Sequence, residues 1–119
     1  MKDFMLVFRN TLANEEAFVQ LSPDEMQAEM ALWQKWMDGL ARQGKLVGGQ
    51  PLLPHGKVLK GKAKKLTDGP FVEGKDVVGG YMLIKAVDYE DAVQLSGGCP
   101  VLNSDEASVE IREILPVAQ

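Results

Sequence analysis

Two residues of the sequence are candidates for acid–base catalysis. Asp68 stands in a Thr-Asp-Gly-Pro-Phe run, and in a cleft against Phe71 its carboxylate would act as a general base, because burial raises a carboxyl pKa. The alternative is structural, since Asp-Gly-Pro is typical of a turn in which the carboxylate accepts backbone hydrogen bonds. His55 is the single histidine, the residue type that ordinarily titrates near neutrality. It is either a second acid–base candidate or a solvated loop residue.

Charged and aromatic side chains are candidates for contact with a small ligand. Glu73 and Lys75 are two residues apart, so on an extended strand they would project from the same face. They form either a surface ion pair or a polar pair at a pocket mouth, where they would orient an acidic or carbonyl-bearing ligand. The other candidates for ligand binding are Phe71, Trp33, Trp36 and Tyr81.

The composition excludes several classes of function. The chain has 119 residues, of which 45% are hydrophobic and 25% charged, as in one ordinary globular domain. A net charge of −4 disfavours a general nucleic-acid binder. One cysteine, Cys99, and one histidine cannot form a multi-thiolate or bis-imidazole site, and we expect no metal and no cofactor. The N-terminal apolar run is too short for a signal or membrane segment, so we expect a cytoplasmic protein that has no membrane contact.

Hydrophobic periodicity predicts alternating strands and helices. Ser22-Pro23-Asp24-Glu25 is a capping box that begins a helix over residues 24–43, and an apolar stripe at helical spacing supports it. Residues 10–21 are predicted to be an irregular connection. Strands are predicted at residues 4–9, 45–49, 77–87 and 109–114, an exposed hairpin strand at 57–66, and a short helix from Asp88 to Gly97-Gly98.

The order of these elements predicts a ferredoxin-like α+β domain over residues 1–119, with one mostly antiparallel sheet and two helices on one face. The strands carry apolar residues on both faces, whereas the helices cover one face. We therefore expect a second copy of the chain to cover the other face, as a homodimer.

Two further features have alternative interpretations. Residues 57–65 contain five lysines and no acid, which is typical of a solvated edge strand protected from aggregation or of a site for an anionic partner. No aromatic residue interleaves with these lysines, so a single-stranded nucleic-acid groove is not indicated. Leu32 and Trp36 widen the apolar face of the long helix, either because it is well buried or because they form a pocket wall or subunit contact.

The segment DGPFVEGKD, followed by two valines and GGY, resembles the signature of the YCII-related family, in the branch named for its Asp-Gly-Pro-Phe motif. The usual pattern in that branch is DGPFAETKE, a short spacer and GGY. The resemblance continues over nearly the whole chain, at Leu21-Ser22-Pro23, Gly44-Lys45-Leu46, Cys99-Pro100 and Val109-Glu110-Ile111-Arg112.

This resemblance implies a dimeric α/β barrel of ferredoxin-like protomers. Relatives in the wider family have a histidine and an aspartate proposed as a catalytic pair, and one is a dehydrochlorinase in aromatic degradation. This chain has no histidine in its predicted first strand or long helix. Some proteins of the Asp-Gly-Pro-Phe branch look to be associated with sigma-factor regulation.

Two hypotheses about function follow from the resemblance. One is a cofactor-free lyase or hydrolase acting on a small carbonyl or aromatic compound in a cleft near the motif, formed by Asp68, Phe71, Glu73, Trp33 and Trp36. The other is a non-catalytic small-ligand-binding or regulatory accessory protein.

Overall fold

The structure, a computed structural model, describes residues 1–117. The chain forms strand β1, helices α1 and α2, strands β2 to β5, helix α3, a 3-10 helix and strand β6. Their bounds are β1 Lys2–Thr11, α1 Leu12–Val19, α2 Pro23–Arg42, β2 Leu46–Pro51, β3 Gly56–Lys60, β4 Lys65–Gly69, β5 Asp76–Ala86, α3 Tyr89–Ser96, the 3-10 helix Pro100–Asn103 and β6 Ser108–Glu113. Within this described part, no helix combines the length and the apolar character that a membrane span requires.

Four strands form one antiparallel sheet in the order β2-β5-β1-β6. Helix α2 lies between β1 and β2 in sequence, and α3 lies between β5 and β6. The predicted α+β class with an antiparallel sheet is confirmed, and the strand order is consistent with a ferredoxin-like arrangement.

The core lies on the helix-covered face of the sheet. Residue alternation along β1 places Phe4, Leu6 and Phe8 on this face, with exposed fractions of 0%, 0% and 6%. Leu40 of α2 and Ala92 of α3 pack into the same cluster. These two residues anchor the helices to the sheet.

The opposite sheet face, which we call the open face, has an apolar centre. Met5 and Val7 of β1 lie opposite Leu83 and Tyr81 of β5, and all four are half-buried. The charged residues around them form ion pairs, Arg9 with Glu110 and Lys85 with Asp3. The prediction that the strands are apolar on both faces is confirmed.

The ends of the helices follow their capping residues. Ser22 and Glu25 form the predicted capping box at the start of α2. The prediction of an irregular connection over residues 10–21 is wrong, because α1 occupies Leu12–Val19. The hydroxyl of Thr11 accepts a hydrogen bond from the Asn14 N–H at 3.1 Å and begins this helix.

The prediction that the strands form one sheet is wrong for two of them. Strands β3 and β4 pair with each other in a separate two-stranded sheet, which we call the hairpin arm (residues 56–69). Strand β5 already pairs with β1 and β2 on its two sides, so the hairpin cannot be inserted beside it. Leu59 and Leu66 of the arm are 63% and 64% exposed, which agrees with the predicted exposure of this segment.

Candidate functional site

A cavity of about 410 Å³ lies between the helix-covered sheet face and helices α1 and α2, a volume that suits a small organic ligand. Aromatic rings form much of its wall. The ring of Phe8 meets that of Trp33 edge to face, with centroids 5.2 Å apart, and Phe18 contributes a third ring. Met30 and Met37 complete the apolar lining from α2.

The polar side of the cavity is built around α1. The side-chain oxygen of Asn10 accepts hydrogen bonds from the backbone N–H of Thr11 at 2.8 Å and from the amide of Asn14 at 2.9 Å. Asn14 also donates to Glu106 at 3.2 Å. These bonds fix the first turn of α1 against the end of β1, and thereby position Glu15, the next residue along the helix.

Glu15 is the most distinctive group of the cavity. Its carboxyl is half-buried among the lining residues, and this burial raises its pKa above the ordinary glutamate value. A raised pKa brings a carboxyl group closer to neutral pH, where a general acid or base is most effective when its pKa is similar to the pH. Glu15 can therefore serve as a general acid or base toward a bound molecule.

The glycine pair of the GGY motif makes room for this carboxyl. A side chain at Gly79 would overlap the Glu15 carboxylate, and one at Gly80 would meet the backbone oxygen of Gln50 at 3.0 Å. Gly79 has no left-handed backbone, so what glycine provides there is space for the carboxylate and not backbone freedom.

Trp33 and Tyr81 are the predicted site residues that line the cavity in the part of the chain that the structure describes. Tyr81 borders it from β5, although its position opposite Val7 places its side chain on the open face. Trp36 lines a different groove, of about 480 Å³, between α2 and α3. Its indole N–H donates to the Leu95 carbonyl oxygen at 3.0 Å, and its ring packs on the core.

Asp68 lies on the hairpin arm and does not line the cavity within the described residues. Its predicted turn is wrong, because it is part of β4, where it pairs with Lys57 of β3 across the two strands. The Asp68 side chain is 86% exposed. His55 is exposed in the loop that leads from β2 into the arm. The acid–base roles of both residues stay predictions.

The rest of the Asp-Gly-Pro-Phe segment is a surface loop. Phe71 is 72% exposed. Glu73 and Lys75 do not share an extended strand, so that prediction is wrong: Glu73 and Asp76 exchange two backbone hydrogen bonds of 3.0 Å across a tight turn. Gly74 adopts a φ of 63° in this turn. Within the described residues, Trp33 lines the cavity and Trp36 the groove, whereas Asp68, Phe71 and Glu73 line neither, so their predicted common cleft stays a prediction.

Thiol chemistry has no support in this structure. Cys99 is 2% exposed, and burial raises its pKa to about 12, so the thiol stays protonated near neutrality. Within residues 1–117, no three or more histidine, cysteine, aspartate or glutamate side chains converge in a way that would hold a metal ion.

The family of the chain follows from comparison with known proteins. The model of the YCII-related domain matches residues 5–118. This chain belongs to the YCII-related family. The family resemblance expected from the sequence is thereby confirmed. A search of curated proteins found no match.

Sequence reasoning missed the polar residues of the cavity in this YCII-related protein. Glu15 and Asn14 fall in the segment that was predicted to be irregular, and Glu29 lies on α2 between residues of the apolar stripe. The glycine pair in the middle of β5 was the available signal, because glycine inside a strand often marks a place where another group approaches closely.

Proposed function

We propose that this YCII-related protein is a cofactor-free lyase that acts on a small carbonyl or aromatic compound, with Glu15 as its general base. The observation that carries the proposal is the half-buried Glu15 carboxyl, held over Gly79 in a cavity with aromatic walls. Removal of a proton from carbon needs one such base. Hydrolysis would use the same base to activate a water, so product analysis distinguishes the proposed lyase from a hydrolase.

In the proposed step, Glu15 takes a proton from the carbon next to a carbonyl group. The electron pair of the broken C–H bond forms a C=C bond, while a substituent on the neighbouring carbon leaves with its own bonding pair. The carboxyl then passes the proton to the departing group or to water, which restores the carboxylate. Asn103 and Ser104 line the cavity, and an N–H or O–H donor there would stabilise negative charge on the carbonyl oxygen.

A compound screen with product analysis tests this function. Compounds that raise the melting temperature would be incubated with the parent protein, with Glu15→Gln and with Glu16→Gln, whose exposed side chain makes it a matched control. We expect Glu15→Gln to bind these compounds and to lose turnover by about 100-fold or more, while Glu16→Gln retains it. Binding without chemical change for every compound would instead support the non-catalytic small-ligand-binding or regulatory accessory protein.

Asp68 and His55 remain the acid–base candidates that the sequence indicates. Because both are exposed outside the cavity, they would act on a ligand bound elsewhere or in the cavity of a second copy. Asp68→Asn and His55→Gln belong in the same assay. Loss of turnover in either variant, with Glu15→Gln fully active, would move the base from Glu15 to the hairpin region.

The assembly we propose is a homodimer formed through the open face, which would complete a dimeric α/β barrel. The apolar centre of that face supports it, because Met5, Val7 and Leu83 are only half-buried there, while the core cluster lies on the other face of the sheet. The DGPFVEGKD segment supports placement in the Asp-Gly-Pro-Phe branch. A free, buried Cys99 agrees with a cytoplasmic location, where thiols stay reduced.

A further inference from the structure

The charged residues that line the cavity are acidic. Glu15 and Glu29 both line it, and no lysine, arginine or histidine is among its lining residues in the described chain. An anionic ligand would lose hydration on entry and would meet like charge without a compensating cation. A positively charged group would instead meet two carboxyl groups.

Glu29 is placed to receive such a group. It stands four residues before Trp33 on α2, so the two side chains lie on the same helix face. Among residues 1–117, no basic side chain forms an ion pair with Glu29. Its negative charge is therefore available to a ligand.

The apolar walls suit the same ligand. The rings of Phe8, Phe18 and Trp33 line the cavity, and aromatic faces attract organic cations as well as apolar rings. Two methionines on α2 add adaptable surface. Aromatic rings and carboxylates together, without a basic residue, are the chemistry that recognises a protonated amine attached to a ring.

We propose that the cavity binds ring-bearing amines in their protonated form, with the ammonium group toward Glu29 and the ring against Phe8, Phe18 and Trp33, and that it rejects carboxylates of similar size. In one respect this inference rests on the proposed function: with Glu15 as the base, the substrate is an amine-bearing carbonyl compound. Glu15 is the reacting group, and Glu29 determines specificity.

Three probes of similar size and different charge test the proposal: phenethylamine, phenethyl alcohol and phenylacetate. Their dissociation constants would be measured by ligand-observed NMR at neutral pH and low salt. We expect phenethylamine to bind about tenfold or more tightly than phenylacetate, because the amine gains ion-pair and cation–π contacts. Phenethyl alcohol should fall between them.

Variants that remove a single negative charge distinguish an effect of the cavity on binding from an effect of the net charge of the molecule. We expect Glu29→Gln to weaken phenethylamine binding toward that of phenethyl alcohol, while Glu16→Gln, which removes the same charge outside the cavity, leaves it unchanged. Glutamine forms helix about as well as glutamate, and circular dichroism confirms that each variant is folded.

Equal or tighter binding of phenylacetate, no detectable binding of phenethylamine, or an unchanged preference in Glu29→Gln would overturn the proposal. The amine preference is read from binding, whereas the role of Glu15 is read from turnover. A Glu15→Gln variant that still turns over substrate contradicts the proposed base and leaves a measured amine preference standing. A lost preference with an intact effect of Glu15→Gln contradicts this inference alone.

Discussion

The Glu15 carboxyl lies against Gly79, so the addition of one methyl group at residue 79 should displace the proposed base. In Gly79→Ala, the new Cβ would overlap the Glu15 carboxylate, which is the end of a flexible side chain and can move away. We expect a loss of less than about 1 kcal/mol of unfolding free energy, but a fall in turnover that approaches that of Glu15→Gln. Urea denaturation and the product assay measure the two effects.

Gly39→Ala is the matched control for this substitution. A Cβ at Gly39 would have no atom within 4 Å, and alanine favours a helix interior by about 0.5–1 kcal/mol over glycine. This variant should be slightly more stable than the parent and equally active. A Gly79→Ala protein with full turnover would show that the position of Glu15 does not matter.

The pKa of Glu15 also predicts how stability depends on pH. Burial raises this pKa above the ordinary value of 4.5, so the folded state holds the proton more tightly than the unfolded state. The resulting stability is fully present below pH 4.5 and is lost as the pH rises through the folded-state pKa. Glu15→Gln has no such proton to lose.

Compared with the parent, Glu15→Gln should therefore gain relative stability as the pH increases from acidic to neutral. Urea denaturation of both proteins across that range measures the difference. Glu16→Gln is again the control, and a constant difference between parent and Glu15→Gln would contradict the raised pKa.

Helix α2 carries Glu29 and Trp33, and its first turn depends on the capping box. Ser22→Ala removes the hydroxyl that accepts from the Glu25 N–H at 3.2 Å, so we expect a loss of about 1 kcal/mol of unfolding free energy. Ser22→Asp should preserve the cap. Binding of phenethylamine should be unchanged in both, because the cavity residues lie further along the helix; weaker binding in Ser22→Ala alone would contradict this.

Elements with a strong local signal were predictable from sequence, and the cavity was not. The capping box at Ser22 and the alternation along β1 and β5 are local patterns, and the helix and the two strands that they predict are present in the structure. Helix α1 has eight residues without an apolar stripe, and its start depends on the side chain of Thr11. The contact of Glu15 with Gly79 joins two distant parts of the chain, and no short-range pattern reports such a contact.

For the whole molecule, the open face predicts the state of association. We expect light scattering of the parent to give twice the chain mass of 13.0 kDa. Leu83→Glu places a charge at the centre of the apolar face and should yield a folded monomer. Leu59→Glu, on the exposed hairpin arm, is the control and should remain a dimer. A monomeric parent protein would exclude the proposed assembly.

The hairpin arm also determines where the polypeptide tolerates a break. Strands β2 and β5 pair directly with each other, so residues 52–75 leave the main sheet and return to it without adding a strand. The tip of the arm carries exposed lysines at positions 60, 62, 64 and 65. Trypsin should cut there first, and the two fragments should remain associated through the sheet. The same tip is a suitable position for inserting an affinity tag or a fluorophore.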